Sequence, residues 1–311
     1  MATGVLEDAV NRTVLAAFAP ATVLRYKGVW KLFSAFADAH RPGWSMPVGP
    51  SVVALFGAWL DKQGYKPSTI SGHLYAVGWW HKLQGWADPA KAYVVRTFLT
   101  GLRKVRPDKK QAKPLRFPDL TRVVGGLDRV FDSFETKLFS AALWVGYFAS
   151  LRVGEFAVSG SAQHTLRLEN VSWEVEDSGE SLVLYLPSYK CSPFPAKLLL
   201  PAGPVKSACA VTALRSYLAV RGPSDGVLFK KRSGAPLRAG DVTAALRRGA
   251  QAAGLDPTGL SGHSLRAGRT TDLVEMGVGD AVIRQSGRWR SNAFLQYVRF
   301  DLFRLPGGAP Q

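Results

Sequence analysis

Between Lys104 and Arg116 the chain carries Lys104, Arg106, Lys109, Lys110, Lys113 and Arg116 together with Pro107 and Pro114, and almost nothing apolar. Such a stretch cannot join a packed core and reads as an exposed linker. It divides the chain into two bodies, in keeping with a length of 311 residues, near the size at which one hydrophobic core stops growing. The expected division is a first domain over 1–105, a basic linker over 106–114, a second domain over 115–304 and a short tail over 305–311.

The two halves differ in pattern. From Ala21 to Lys104 apolar residues recur at helical spacing, with Val23, Tyr26, Trp30, Phe33 and Ala37 on one stripe and Ile70, Leu74 and Val77 on another. Turn signals at Arg41-Pro42-Gly43, Val48-Gly49-Pro50, Gln63-Gly64 and Asp88-Pro89 separate four or five helices, with Pro50, Pro67 and Pro89 at or beside helix starts. The helical spacing of Trp30, Trp44, Trp59, Trp79, Trp80 and Trp86 favours a packed core over base stacking. In the second half, helices are expected around Ser133–Phe148, Ala208–Val220 and Val242–Ala253, and Ser181–Leu186 and Ala196–Leu200 read as two strands of a hairpin. The fold class is therefore mainly α with a small antiparallel sheet in the second domain.

A formal charge of +17 and a pI near 10.1 favour a polyanion partner, through steering and counterion release. Nucleic acid is the leading candidate. No apolar run reaches the ~18 residues of a membrane span, and Met1–Val10 lacks the layout of a signal peptide. The expectation is a soluble, intracellular, DNA-associated protein. Cys191 and Cys209 lack the spacing of a disulfide framework or a zinc site. There is no Walker loop and no GxGxxG, which argues against nucleotide-driven chemistry.

Three segments carry chemistry. In Ser261-Gly-His263-Ser-Leu-Arg266-Ala-Gly, His263 and Arg266 sit three apart at a helix start, so both project from one face toward a single group. In Ala149-Ser-Leu-Arg152-Val-Gly-Glu155, a carboxylate three residues on can hold the arginine in place. Guanidinium offers a rigid fork of donors matched to phosphate oxygens. The third segment is Gly287-Arg-Trp289-Arg-Ser-Asn-Ala-Phe-Leu-Gln-Tyr297-Val-Arg. Taken singly, each residue is an ordinary cap, ion pair or core aromatic; their joint order and spacing is what signifies.

These segments resemble the signature boxes of the phage integrase or tyrosine recombinase family, in its Cre-like form, and the resemblance extends over essentially the whole chain. It implies a C-shaped DNA clamp, in which the helical half is a core-binding (SAM-like) domain and Leu115–Arg304 the catalytic domain. Arg152 resembles the first box arginine, Glu155 its acidic companion, His263 and Arg266 the second box, and Tyr297 the nucleophile. Trp289 stands where many members have histidine and some tryptophan. The family's lysine lies on a β-hairpin, and Lys190 in Ser188-Tyr-Lys190-Cys-Ser-Pro-Phe194 is the matching choice, with Lys197, Lys230 and Lys231 as competitors. The box wording is similar to recombinases of DIRS- and Ngaro-type retrotransposons. Trp289 to Tyr297 spans eight residues, where the integrase pattern usually has nine.

A free tyrosine hydroxyl, with a pKa of about 10, attacks a phosphodiester only if its proton leaves as the bond forms. The resemblance implies His263 as base, Arg152 and Arg266 stabilising the phosphoryl transition state, Trp289 donating an indole N–H, and Lys190 protonating the departing 5′-oxygen. The 3′-phosphotyrosyl link keeps the energy of the phosphodiester, so rejoining, through a Holliday junction, needs neither ATP nor a metal or other cofactor. The implied partners are duplex DNA with paired sites and further copies of the chain, a dimer per site and a tetramer overall, with no membrane. Arg25, Lys27, Lys31, Lys66, Ser68, Thr69, His73, Arg103, Lys104, Arg106, Lys109 and Lys110 are the expected backbone-positioning contacts. A type IB topoisomerase-like relaxing enzyme and a DNA-binding protein with a relic site are the alternatives. A nucleus would house a eukaryotic element and the cytoplasm a prokaryotic or phage one.

Overall fold

The structure, a computed structural model, describes residues 3–107, 112–160, 162–177, 179–189 and 195–298. Its contacts divide into two compact units, Met1–Lys110 and Gln111–Gln311. Among the described residues no helix is long and apolar enough to cross a membrane.

The first unit is all helical: α1 (Thr3–Ala16), α2 (Pro20–His40), α3 (Pro50–Lys62), α4 (Pro67–Leu83) and α5 (Tyr93–Val105). Pro50 and Pro67 occupy first turns, where a missing N–H removes nothing. Pro89 opens a 3₁₀ turn instead, capped by Asp88 Oδ1 accepting from Ala90 N at 3.0 Å. Phe33, Phe56, Leu60, Ile70, Leu74 and Leu99 form the core, and Trp30, Trp44 and Trp59 pack half-buried against it. Trp79 is buried and meets Tyr26 and Phe18 edge-on. Helix α1 lay outside the expected helical span, because Val5, Leu6, Val10 and Val14 leave their apolar surface exposed and form no inward stripe.

The second unit is built on α7 (Ser133–Phe148), whose residues 141–147 are all buried. Asp132 starts it by accepting from Glu135 N at 2.8 Å. A helix apolar all round belongs at a centre, and α7 lies between α9 (Ala210–Arg221) and α11 (Gly262–Glu275). Around it are α6 (Phe117–Gly125), the short α8 (Val153–Phe156), α10 (Ala239–Ala252) and α12 (Asp280–Gly287). The sheet is antiparallel in order β1 (Val171–Glu176), β2 (Gly179–Leu186), β3 (Ala196–Pro201). Its hairpin matches the expected one; β1 is a third strand the sequence reading lacked.

One buried carboxylate fixes α11. Asp272 accepts from Phe117 N at 2.9 Å, from the Tyr147 hydroxyl and from Arg116 Nε. Gly268 lets the chain at Leu115 cross the same helix, since a Cβ there would lie 1.8 Å from the Leu115 carbonyl oxygen. Burial, and then the Asp272 carboxylate, pushes the Tyr147 hydroxyl above its usual pKa, so this proton stays in place. Asp272→Ala strands three donors, one at the partly exposed Arg116; chemical denaturation should show a loss of about 3 kcal/mol. A loss below about 1 kcal/mol would mean that water replaces the carboxylate.

Candidate active site

Helix α7 ends at Phe148, and the chain then turns through Ser150, which holds a left-handed φ of 47°. That strained turn aims two carbonyls inward. The Ala149 oxygen accepts from Arg288 Nη1 at 3.2 Å, and the Ser150 oxygen accepts from Arg288 Nη2 at 3.3 Å and from Arg266 Nη1. Arg152 follows as the N-cap of α8. Glu155, 2% exposed, takes Arg152 Nη1 at 3.0 Å on one oxygen, and the Arg152 N–H at 2.9 Å on the other. The second oxygen also accepts from Arg288 Nη2 at 2.7 Å.

Helix α11 starts against α8. Gly262 permits the approach, because a Cβ there would meet Val153 Cγ2 at 2.6 Å. His263 lies exposed on the first turn. Arg266, one turn on, is fully buried, with Nη1 on the Ser150 carbonyl and Nη2 on the Gly287 carbonyl. The pair thus presents an exposed imidazole and a buried guanidinium.

Two aromatic rings flank Arg266. Its guanidinium carbon lies 4.0 Å from the Trp289 ring centre and 5.5 Å from that of Tyr297, and the two rings are 5.5 Å apart. Gly287 makes room, as a Cβ there would sit 1.6 Å from the indole. Tyr297 ends a 3₁₀ turn over Asn292–Gln296, its N–H donating to the Phe294 carbonyl at 2.8 Å. Trp289 therefore presents a π face to Arg266.

The guanidiniums of Arg152 and Arg288 bond the Glu155 carboxylate, and that of Arg266 lies within reach of its charge. Burial, and then the charges of Arg152 and Arg288, pull the Arg266 pKa down; Glu155 and Tyr297 act the other way. Burial likewise lowers Arg288, opposed by Glu155. Excess positive charge held away from water is a site prepared for an anion, where each Coulomb contact counts for more than in bulk solvent. Arg266 Nε and Arg288 Nε have no hydrogen-bond partner among the described residues.

Lys190 lies outside the described residues. The chain just beyond β2 reaches the site: Tyr189 lies 5.8 Å from the Arg288 guanidinium carbon, and Ser188 Oγ is 2.8 Å from His164 Nδ1. The competing lysines are engaged elsewhere, Lys197 with Glu174 at 2.6 Å, Lys230 with the Ser224 and Asp225 carbonyls, and Lys231 with Asp241 at 2.7 Å. In the first unit, Arg25, Ser68, Thr69 and His73 line one surface depression of about 260 Å³. Lys27, Lys31, Lys66 and Lys104 are exposed. Arg103 donates to Ser71 Oγ at 3.0 Å, and Arg106 is tied to Asp61 and to the Tyr65 carbonyl. Lys109 and Lys110 lie outside the described residues.

Sequence reasoning missed Arg288. A signal was present: it stands nine residues before Tyr297, the interval of the integrase pattern, whereas Trp289 stands eight before it.

Residues 203–299 match the phage integrase family, a span that holds His263, Arg266, Trp289 and Tyr297 but not Arg152 or Glu155. No curated protein matches the chain in sequence. Among solved structures, a lambda integrase (75-356) dimer bound to a COC′ core site is similar at 14% identity and TM-score 0.60, over 97% of this chain and 98% of that one. The Tn1549 transposon integrase (aa 82-397) in complex with circular intermediate DNA gives 14% and 0.61, over 95% and 94%. The XerH site-specific recombinase bound to palindromic difH substrate gives 16% and 0.59, over 84% and 72%. At such identities the likeness is one of fold.

Proposed function

We infer that this chain, which has the fold of a tyrosine recombinase and whose residues 203–299 belong to the phage integrase family, is a site-specific recombinase that cuts and rejoins DNA through Tyr297. The observation that carries this reading is the surrounding of Arg266: a buried cation beside Arg152 and Arg288, with the Tyr297 ring 5.5 Å away.

The Tyr297 hydroxyl oxygen attacks the scissile phosphorus while His263 takes its proton. The bond from phosphorus to the 5′-oxygen breaks, and Lys190 supplies the proton that leaves with it as a 5′-hydroxyl. Arg152 and Arg266 take up charge on the non-bridging oxygens, held in place beforehand by Glu155 and the Ser150 and Gly287 carbonyls. A preorganised pair of this kind needs no reorganisation at the moment of reaction. Attack by a second 5′-hydroxyl reverses the step, so two exchanges between paired sites pass through a Holliday junction and need no metal, cofactor or ATP. The assembly proposed is a dimer on each site and a tetramer on the pair. The depression lined by Arg25, Ser68, Thr69 and His73 is the proposed backbone contact of the first unit.

The test uses duplexes randomised across the cut site. Mixed with the full chain, they should yield a species that survives denaturing detergent, disappears on protease digestion and carries nucleotide on the peptide containing Tyr297. No such species from any duplex, or one attached at another residue, overturns the reading. Relaxation of supercoiled plasmid without paired sites would instead point to a topoisomerase.

A further inference from the structure

We propose that Arg288 is a positioning residue for strand cleavage: through Glu155 it fixes the guanidinium of Arg152, and through its place in the chain it ties that guanidinium to the segment bearing Tyr297. The proposal rests on the recombinase reading above.

Arg288 occupies a left-handed backbone conformation, φ 57° and ψ 43°, where it caps α12. Among the described residues only it and Ser150 combine a side chain with positive φ, and the two are joined, Arg288 Nη2 donating to the Ser150 carbonyl. A bulky residue persists in this region only when its surroundings over-determine it. Here the fork of the guanidinium does so. Its Nη1 takes the Ala149 and Ser286 carbonyls, at 3.2 and 3.3 Å, and its Nη2 takes Ser150 and Glu155. The side chain is 4% exposed and Glu155 3%. Both Nη groups of Arg288 are committed inward, to three carbonyls and to Glu155; the action proposed for it on the reaction runs through Glu155.

The geometry of Glu155 shows what that action is. Arg152 alone meets Oε1 with its guanidinium and Oε2 only with its neutral backbone N–H, and Arg288 adds a charged donor on Oε2 from a distant segment. With Oε1 on Arg152 and Oε2 shared by the Arg152 N–H and Arg288, both oxygens are pinned, and the plane of the carboxylate sets that of the Arg152 guanidinium. Arg288 is followed directly by Trp289, whose ring lies over Arg266, and the same chain reaches Tyr297 nine residues on. One side chain thus joins the first arginine to the nucleophile's segment. The nine-residue interval puts it where the integrase pattern has its last box residue before the tyrosine, here with an inward hold on Glu155.

Arg288→Gly deletes the side chain at a conformation glycine adopts freely, and Arg288→Lys keeps a charge without the fork. With enzyme in excess over the randomised duplexes, and below the melting temperature that loss of the buried ion pair lowers, adduct formation by Arg288→Gly should be about 100-fold slower, with DNA affinity within about twofold of wild type. Arg288→Lys should recover about tenfold of that loss. Glu155→Gln should be slowed comparably, and the double variant should be no slower than the worse single one, because the pair acts as a unit. Cleavage by Arg288→Gly within about threefold of wild type overturns the proposal, as does a loss confined to DNA affinity or an additive double variant. If Arg288→Gly fails to fold, Arg288→Lys decides: a wild-type rate overturns the proposal, and a rate about tenfold down at unchanged affinity sustains it. Absence of any adduct from wild type is a different result, the failure of the recombinase reading itself.

Discussion

Tyr297→Phe should bind DNA as wild type does and form no detergent-resistant adduct, a fall in strand cleavage of at least about 10⁴-fold. The prediction is sharp because the substitution removes one atom and little else. The ring contacts, 5.5 Å to Trp289 and 5.5 Å to the Arg266 guanidinium, belong to the aromatic face and survive. So do the hydrogen bond from its N–H to Phe294 and that from Thr271 Oγ1 to its carbonyl. A melting curve superposable on wild type, with gel-shift affinity unchanged, would assign the whole loss to the nucleophile. An adduct that persists in this variant would move the nucleophile elsewhere in the chain.

How far the site could be read from sequence depends on what kind of contact each residue makes. Arg152 and Glu155 sit three residues apart and pair locally, so their spacing carried their geometry. The hairpin was legible because Leu182, Val183, Leu184 and Leu186 are apolar and buried within one run. Strand β1, Val-Ser-Trp-Glu-Val-Glu, was not: it lies at the sheet's edge, where Val175 is exposed and two glutamates break any apolar run. The interval to Tyr297 could have marked Arg288, but its contacts, like those of Asp272, were hidden for a deeper reason. Their partners are 133 and 125 residues away, at Glu155 and Tyr147, and only the packing of α11 and α12 against the α7–α8 turn brings them into reach. An arginine in Gly-Arg-Trp-Arg reads as a surface charge until its backbone is seen to be left-handed and its side chain turned inward. Local chemistry is written in spacing; buried ion pairs between distant segments are written only in the fold.

Arg266→Met separates the use of this residue in chemistry from its use in folding. Cleavage should fall by at least about 10³-fold, because the transition state loses one of its two preorganised guanidiniums. Stability should move little. Burial and the neighbouring charges of Arg152 and Arg288 pull the Arg266 pKa down, which means that the folded, DNA-free protein holds this cation at a cost. Methionine matches the volume, keeps a favourable contact with the Trp289 and Tyr297 rings and removes the repulsion. Against this, the Gly287 carbonyl loses Arg266 as a donor, at about 1–3 kcal/mol, whereas the Ser150 carbonyl keeps Arg288. The opposing effects are of similar size, so the melting temperature should stay within about 5 °C of wild type. A bound phosphodiester reverses the balance in wild type, since the anion offsets the repulsion among the three guanidiniums; duplex DNA at about 100 times Kd should then stabilise it by about 2.7 kcal/mol. At equal DNA concentration Arg266→Met should show a much smaller shift. A variant that melts far below wild type without DNA would make Arg266 a structural residue first, and equal DNA-induced shifts in both proteins would place the bound phosphate elsewhere.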